Sequence, residues 1–375
     1  MQKVRIIVNN INFLFSHRRE ILVMLKNENF ELLVIAPPTN ELELKTLDVL
    51  HIPIKLSRKG MNPISELLCF FRIYSILRKE KPDIIHLITM KPIIYGGLSA
   101  KFLGNQSTIF AFSGLGYIFT NLKDIHFLKK LVKETVGLCL RFLMKNKNKR
   151  LIFHNSEDLD YIKNMYGIAN NEVFLTMGSG VDLKKFAFSP LIKVDKLKIL
   201  FASRLLKSKG IIELINIAKY FNDNYPNELA FYIAGDPDLG NPDSVSSEYL
   251  ETIKKQPNIN YFPYRKNIKP LIHECHLSIL LSFREGLPKF LLESASCGRA
   301  IITSNIAGCK ECVIDGKTGF LVDPKNELDT IYKIKLLLNN KELLQSMGIN
   351  GRKLAEREFS VDKVVRIHKE IYESF

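Results

Sequence analysis

Short apolar segments alternate along the chain with longer amphipathic segments, in the same rhythm in both halves. In the first half the apolar segments are VRIIV (4–8), ELLVIA (31–36), DIIHLI (83–88) and TIFAF (108–112). In the second half they are LKILFA (197–202), LAFYIAG (229–235), LSILLS (277–282) and AIITS (300–304). Continuous apolar runs are typical of strands buried on both faces, with helices between them covering a parallel sheet. The pattern predicts an α/β fold with two doubly wound, Rossmann-like parallel-sheet domains.

The rhythm is interrupted in the segment LKKFAFSPLIKVDK (183–196), where a proline and polar residues precede a new strand. We therefore predict an N-terminal domain over residues 1–185 and a C-terminal domain over residues 186–360. Residues 361–375 have the pattern of a closing helix. A chain of 375 residues is long enough for two domains of about 150 to 200 residues each.

The composition, 46% apolar and 25% charged, is ordinary for a globular enzyme. The longest apolar runs are far shorter than the roughly 20 residues that a membrane-spanning helix needs. The N-terminus lacks the long apolar segment of a secretory signal, so we expect a cytoplasmic location. The six cysteines lie in apolar segments, and Cys309 and Cys312 have no second pair at zinc spacing. We expect neither disulfide bonds nor a bound metal.

The net charge of +15 is concentrated in the first half of the chain. Residues 1–190 contain 27 Lys and Arg against 16 Asp and Glu. Such a surface suits nucleic acid, an anionic membrane or a phosphorylated substrate, and it also serves solubility. The sequence contains no helix-turn-helix, zinc-finger or RNA-binding signature, which disfavours nucleic acid.

Cations stand at two strand–helix junctions in the second half. Arg204 and Lys209 follow the first strand there, and Lys289 lies in the first turn of a helix that Pro288 can begin. Parallel strands end at one edge of their sheet, where helix N-termini attract anions. A diphosphate would account for all three cations. The alternative is solvated loop charge, with Lys289 paired to Glu293 on the same helix.

Two carboxylates flank Lys289 in the segment REGLPKFLLES (284–294). Glu285 is predicted in the loop and Glu293 inside the helix. Carboxylates do not bind phosphate, but they accept hydrogen bonds from the vicinal hydroxyl groups of ribose or another sugar. A nucleotide diphosphate joined to a sugar supplies both kinds of group. AGDPD (234–238) contains the D-x-D of some metal sites, but its position after a strand favours a loop carboxylate, and we assign it no metal.

These motifs, in this order, resemble those of the family 4 glycosyltransferases, which are retaining enzymes of the GT-B architecture. The shared motifs are E-x7-E (285–293), CGRAII (297–302), R-x4-K (204–209) and GSGVD (178–182). Further segments resemble a bacterial subgroup that builds O-antigen, capsule and related surface polysaccharides: FLFSHR (13–18), HLITMKP (86–92), SGLGYIF (113–119) and AGCKE (307–311). The resemblance extends over nearly the whole chain and implies two domains that face a central cleft.

The resemblance implies a donor site in the C-terminal domain. Arg204 and Lys209 would bind the diphosphate, while backbone N–H groups near Lys289 complete its site. Glu293 would bind the ribose and Glu285 the transferred sugar. The predicted donor-binding residues are Arg204, Lys209, Glu285, Gly286, Leu287, Lys289 and Glu293. The predicted catalytic residues are Glu285, His17, Arg204 and Lys209. We expect UDP as the nucleotide, with GDP as the alternative, and no metal or other cofactor.

The acceptor site is predicted from three segments of the N-terminal domain that the sequence places at strand ends. His17 and Arg18 would stand at a helix start after the first strand. His86 would end a strand shortly before Lys91, and the glycines of SGLGYIF would let the backbone approach a ligand. The predicted acceptor-binding residues are His17, Arg18, His86, Lys91, Gly114, Gly116 and Tyr117.

Residues 124–150 carry eight basic residues against Asp124 and Glu134, together with an apolar component. This segment is either a core-packed helix with a solvated face or a helix seated on anionic membrane. The second interpretation suits an acceptor saccharide on undecaprenyl diphosphate. The sequence then predicts a retaining glycosyltransferase, peripheral to the inner membrane, that moves a hexose or N-acetylhexosamine from a UDP-sugar to that acceptor. A sugar-nucleotide epimerase or a soluble glucan synthase of the same architecture is the alternative.

Overall fold

The computed structural model describes residues 1–39, 42–56, 62–104, 107–115, 127–192 and 195–375. These residues form two compact units. The first unit contains Met1–Ser179 together with Val364–Phe375, and the second contains Gly180–Lys363.

The first unit is built on a parallel sheet in which the described residues form seven strands, in the order β3-β2-β1-β4-β5-β6-β7. The strands are β1 (Lys3–Val8), β2 (Glu31–Ala36), β3 (Leu50–Pro53), β4 (Ile84–Ile88), β5 (Ser107–Phe112), β6 (Lys149–Phe153) and β7 (Val173–Leu175). The helices before the unit boundary are α1 (Ile11–Asn27), α2 (Leu42–Thr46), α3 (Pro63–Glu80), α4 (Met90–Phe102), α5 (Phe127–Met144) and α6 (Ser156–Tyr166).

Both faces of this sheet are covered, which explains the continuous apolar runs. Successive residues of a strand point to opposite faces. Accordingly Val4, Ile6 and Val8 of β1 belong to a hydrophobic cluster that includes residues of α1, while Ile7 belongs to a second cluster that includes residues of α3, α4 and α5. The polar exception among the buried residues of β1 is Arg5, whose guanidinium pairs with two glutamates.

The second unit repeats this arrangement with a parallel sheet of six described strands, in the order β10-β9-β8-β11-β12-β13. The strands are β8 (Leu197–Ala202), β9 (Leu229–Ala234), β10 (Ile259–Phe262), β11 (Leu277–Leu280), β12 (Ala300–Ser304) and β13 (Gly319–Val322). The helices are α7 (Ile211–Asn224), α8 (Ser247–Lys254), α9 (Lys269–Glu274), α10 (Lys289–Ser296), α11 (Glu327–Asn339) and α12 (Lys341–Leu354). The strand order reverses between β8 and β11, which is where open α/β sheets bind ligands.

The predicted fold class of two doubly wound parallel-sheet domains is confirmed. The structure divides the chain after Ser179, whereas the sequence placed the boundary after residue 185. Val181 supplies the reason, because its N–H donates to the Phe359 carbonyl over 2.7 Å and its carbonyl accepts from the Val361 N–H over 3.0 Å. The closing helix α13 (Val361–Glu373) leads back to the first unit, where Tyr372 is buried in the core.

Among the described helices, none is long and apolar enough to cross a membrane. The six cysteines are free thiols. Burial raises the pKa of both the Cys309 and the Cys312 thiol, which keeps them protonated. Within the ranges given above, no group of His, Cys, Asp and Glu is arranged to hold a metal ion.

Candidate donor-binding site

The loop between β8 and α7 is held against the end of β11. Gly210 has a φ of +76°, and a Cβ atom there would lie 2.3 Å from the carbonyl oxygen of Leu281. Only glycine combines this backbone conformation with so close an approach. The Phe283 N–H also donates to the Ser208 carbonyl over 2.9 Å. These contacts hold the R-x4-K loop beside the E-x7-E loop at the carboxyl edge of the sheet.

Lys209 and Glu285 form an ion pair across these two loops. Lys209 Nζ contacts Glu285 Oε1, and Ser282 Oγ donates to the same oxygen over 2.8 Å. The side chains are only 18% and 12% exposed, so water screens the pair poorly. The sequence predicted different partners for the two residues, diphosphate for Lys209 and sugar for Glu285. The structure shows that these two side chains are immediate neighbours.

Arg204 is the more exposed cation of this edge. Its Nη1 lies 2.6 Å from Asp238 Oδ2, and its side chain is about half exposed. Asp238 belongs to the AGDPD loop, where a Cβ on Gly235 would lie 1.8 Å from the Ser203 carbonyl oxygen. The loops after β8 and β9 therefore touch backbone to backbone. A phosphate would compete with Asp238 for the guanidinium, since both accept its paired N–H groups.

Helix α10 supplies the second carboxylate of E-x7-E. Pro288 occupies the N-cap position without a side-chain capping hydrogen bond, and the helix begins at Lys289 with no acidic residue in its first turn. Glu293 lies one turn further on and is buried. Burial raises the pKa of Glu293 to about 7, although Lys289 and Lys185 favour its charged form. The pair that the sequence offered as an alternative exists, with Lys289 Nζ 3.7 Å from Glu293 Oε1. This contact is longer than an ordinary hydrogen bond.

The loop after β12 packs on the E-x7-E loop from the other side. Gly308 has a φ of +81°, and a Cβ there would lie 2.5 Å from the Gly286 carbonyl oxygen. This contact gives AGCKE (307–311) a structural reason for its glycine. Ser304, the last residue of β12, has a buried Oγ without a hydrogen-bond partner among the described residues. The loops after β8, β9, β11 and β12 thus converge on one edge.

The prediction that His17 and Arg18 stand at a helix start is wrong. Helix α1 begins at Ile11, and Asn10 caps it by accepting from the Phe13 N–H over 3.3 Å. His17 therefore lies well inside the helix, half-buried, with its ring stacked 4.3 Å from that of Phe13. Arg18 is buried and donates to the Gly178 carbonyl over 3.2 Å, and burial lowers its pKa to about 10.

The prediction that His86 ends a strand is also wrong. His86 is the middle residue of β4, because Leu87 and Ile88 continue the ladder with β5. Its Nδ1 lies 2.6 Å from the hydroxyl oxygen of Tyr372, and burial holds the pKa of the imidazole well below its usual value. His86 is thus a neutral core residue that helps to hold α13 on the sheet.

The other predicted acceptor residues divide between described and undescribed positions. Lys91 lies in the first turn of α4, and its Nζ is 2.6 Å from Glu66 Oε1 on α3. Gly114 follows β5 with a φ of +113°, a conformation that suits glycine. Gly116 and Tyr117 lie outside the described residues.

Two families of known sequences match the chain, one in each unit. Residues 4–155 match the family described as glycosyl transferase 4-like, and residues 182–354 match the family described as glycosyl transferases group 1. The protein is a glycosyltransferase.

Relatives of this glycosyltransferase align with it over most of its length. It is 27% identical over 351 residues to the N,N'-diacetylbacillosaminyl-diphospho-undecaprenol alpha-1,3-N-acetylgalactosaminyltransferase of Campylobacter jejuni, with 90% of each chain covered. It is 25% identical over 367 residues to the UDP-Gal:alpha-D-GlcNAc-diphosphoundecaprenol alpha-1,3-galactosyltransferase of Escherichia coli, with 93% of this chain and 90% of the relative covered. The crystal structure of Anabaena HepE in complex with UDP and glucose has a TM-score of 0.77 at 14% identity and covers 100% of both chains. This last likeness shows that the glycosyltransferase has the GT-B fold.

Two side-chain contacts in the candidate site of the glycosyltransferase could not be predicted from the sequence. Ser282 orients Glu285, and Asp238 occupies Arg204. Neither contact has a signature in the sequence, because each depends on how two loops meet. A signal did exist for α1: asparagine is a preferred cap, and Asn10 stands directly before the apolar helical pattern.

Proposed function

We propose that this glycosyltransferase transfers a hexose or N-acetylhexosamine, with retention, from a UDP-sugar to a saccharide carried on undecaprenyl diphosphate. The observation that carries the proposal is the contact between Lys209 and Glu285. A cation suited to diphosphate adjoins a carboxylate suited to sugar hydroxyls, as is needed where a sugar–diphosphate bond is broken. The activities of the Campylobacter and Escherichia relatives support the lipid-linked acceptor. We propose that the product is a surface polysaccharide, such as O-antigen or capsule, which agrees with the likeness to the capsular polysaccharide biosynthesis glycosyltransferase CapM of Staphylococcus aureus.

The bound donor would exchange partners with the ion pair. The Lys209 ammonium would leave Glu285 and form an ion pair with the diphosphate of the donor. The Glu285 carboxylate would then accept hydrogen bonds from the hydroxyl groups of the sugar. Charge grows on the diphosphate as the sugar leaves, so Lys209 and Arg204 contribute most in the transition state. The start of α10 adds the positive end of its dipole. This arrangement neutralises the leaving group with protein groups, and we propose that it needs no metal.

Glu293 is proposed to bind the ribose of the donor. Its position inside α10 places it one turn beyond the proposed phosphate site at the helix start. A buried carboxylate gains from two hydroxyl donors, which replace the water that it lost on burial. We also propose that His17, which is half-buried in α1, acts on the acceptor.

Product analysis tests the proposal. The protein is incubated with each of a panel of UDP- and GDP-sugars and with a saccharide on undecaprenyl diphosphate. We expect one UDP-sugar to be consumed, and NMR of the product should show the anomeric configuration of the donor. An inverted product would contradict retention. Donor interconversion without transfer would indicate an epimerase, and elongation of soluble glucan alone would contradict the lipid-linked acceptor.

The affinity for a UDP-sugar is expected to rise as the pH increases through about 7. Below that pH Glu293 is mostly protonated, because burial raises its pKa to about 7, and it then accepts fewer ribose hydrogen bonds. A UDP-sugar is the proper ligand, because the free phosphate of UDP itself titrates near pH 6. Calorimetric titrations at several pH values of the wild type and of Glu293→Gln measure the effect. The proposal requires a flatter profile in the variant, and identical profiles would contradict it.

A further inference from the structure

Helix α3 has apolar side chains on two faces. Its inner face buries Cys69, Ile73 and Leu77 in the core of the first unit. Its outer face presents four more apolar residues at helical spacing, with exposed fractions of 72% for Ile64, 57% for Leu67, 66% for Leu68 and 56% for Phe71. Positions i, i+3, i+4 and i+7 lie on one side of a helix. A helix face in contact with water normally carries polar residues at these positions. The apolar stripe therefore indicates an interaction surface.

The stripe continues onto the two neighbouring helices. Phe70 of α3 lies edge-on to Phe102 of α4, with ring centroids 6.4 Å apart. Phe102 in turn lies 6.4 Å from Phe142 of α5, and Leu138 stands one turn before Phe142. We call these exposed side chains the apolar patch: Ile64, Leu67, Leu68, Phe71, Phe102, Leu138 and Phe142.

The charges around the apolar patch are predominantly positive. The two acids of α3 are tied to cations, Glu66 to Lys91 at 2.6 Å and Glu80 to Arg5 at 2.9 Å. The exposed charged residues of α3 are the cations Arg72, Arg78 and Lys79. On α5 and just after it, the only exposed acid among the described side chains is Glu134. The exposed cations there are Lys130, Arg141, Lys145 and Lys147.

Lys101 shows how closely cations approach the aromatic part of the patch. Its Nζ lies 4.4 Å from the centroid of the Phe142 ring and donates to the Phe142 carbonyl over 3.0 Å. Burial lowers the pKa of Lys101, and Lys145 and Lys149 lower it further. By contrast, Lys149 is buried against Glu172 at 2.7 Å and Arg150 donates to Ser374, so these two residues are structural. The apolar patch is therefore bordered by the exposed cations of α3 and α5, and Lys149 and Arg150 are not among them.

We propose that the apolar patch is the membrane-docking surface of the protein, with the stripe of α3 entering the acyl boundary of an anionic bilayer. The surrounding cations would bind lipid phosphates, and the apolar side chains would gain from leaving water. This inference rests on the proposed function, because a lipid-linked acceptor is found in a membrane. A second copy of the chain is a poorer partner, since a symmetric contact would set these cations against their own copies.

A tryptophan reporter tests the proposal directly, because the chain contains no tryptophan. Phe71→Trp places a single tryptophan in the apolar patch. Tyr332→Trp places a single tryptophan at an exposed position of α11 in the second unit. With vesicles containing phosphatidylglycerol, the Phe71→Trp emission should shift to the blue and be quenched by brominated acyl chains. The Tyr332→Trp emission should not change. Equal quenching at both positions, or at neither, would overturn the proposal.

A second pair of variants measures how much the stripe contributes. Leu68→Gln/Phe71→Gln changes two side chains that are 66% and 56% exposed, and Leu328→Gln/Tyr332→Gln changes two that are 74% and 61% exposed. All four are on the surface, so both variants should fold. Vesicle sedimentation should show that the first variant binds about tenfold more weakly than the wild type, a loss of about 1.4 kcal/mol. The control variant should bind as tightly as the wild type. Unchanged binding in the first variant, with a change in its oligomeric state, would instead identify a contact between copies.

Transfer to a water-soluble analogue of the acceptor separates this inference from the proposed function. The Leu68→Gln/Phe71→Gln variant should transfer to the soluble analogue at the wild-type rate and lose activity only on acceptor in vesicles. Wild-type activity on both acceptors would overturn the docking surface and leave the proposed function in place. Normal docking without transfer from any nucleotide sugar would overturn the proposed function alone.

Discussion

Replacing Glu285 by glutamine is expected to lower the rate of sugar transfer by roughly 10²- to 10³-fold, with the loss in kcat. Glutamine keeps the shape of the side chain and can still accept from Ser282, which donates to Glu285 over 2.8 Å. It lacks the negative charge that strengthens hydrogen bonds from the hydroxyl groups of the sugar. Initial rates at saturating donor and acceptor measure the change.

The affinity for UDP alone should not fall when Glu285 is replaced by glutamine, in contrast to the transfer rate. In the wild type, Glu285 and the diphosphate compete for the Lys209 ammonium. Glu285→Gln releases that ammonium, so UDP should bind at least as tightly as it does to the wild type, which calorimetry can show. Glu251→Gln is the matched control, because Glu251 makes a surface pair with Lys254 in the same unit. A Glu285→Gln enzyme with wild-type kcat, or one that fails to bind UDP, would contradict the assignment.

The fold was predictable because burial on both faces of a sheet leaves a simple record. Each residue of β1 from Val4 to Val8 is buried, so the strand is read as the continuous run VRIIV. The same physics hides the exception, because Arg5 is buried with its charge matched by Glu31 and Glu80 from elsewhere in the chain. The local sequence around Arg5 cannot predict its pairing with Glu80, which lies 75 residues away along the chain.

For the candidate donor site, the sequence predicted the local positions of its residues better than their mutual contacts. Spacing placed Glu285 in a loop and Glu293 in a helix, and both placements agree with the structure. The sequence could not show that Lys209 and Glu285 touch, because this contact depends on the close approach that Gly210 allows to Leu281. The predicted placements of His17 at a helix start and of His86 at a strand end failed for a related reason. Strand and helix ends decide whether His17 or His86 reaches an edge, and ends are the least certain part of a pattern.

Replacing Lys209 by methionine is expected to weaken UDP binding by about 10²-fold, because the diphosphate loses a largely buried cation. Lys207→Met is the matched control, since Lys207 lies in the same helical turn but is exposed. It should change the affinity by about threefold at most. Calorimetric titration of both variants measures the difference, and equal losses would show that the effect is general surface charge.

The same variant should be less stable, and a second substitution should reverse that loss. Lys209→Met leaves the Glu285 carboxylate, 12% exposed, without its cation, a change that costs up to about 3 kcal/mol in partly buried pairs. Lys209→Met/Glu285→Gln removes both charges, so its melting temperature should return toward that of the wild type while the transfer rate stays at least as low as in the single variants. Recovery of stability without recovery of activity would show that the pair holds the loops in the free enzyme and that its charges act separately on the donor. If the double variant is as unstable as the single one, the two side chains do not interact, and the proposed exchange of Lys209 from Glu285 to the diphosphate is wrong.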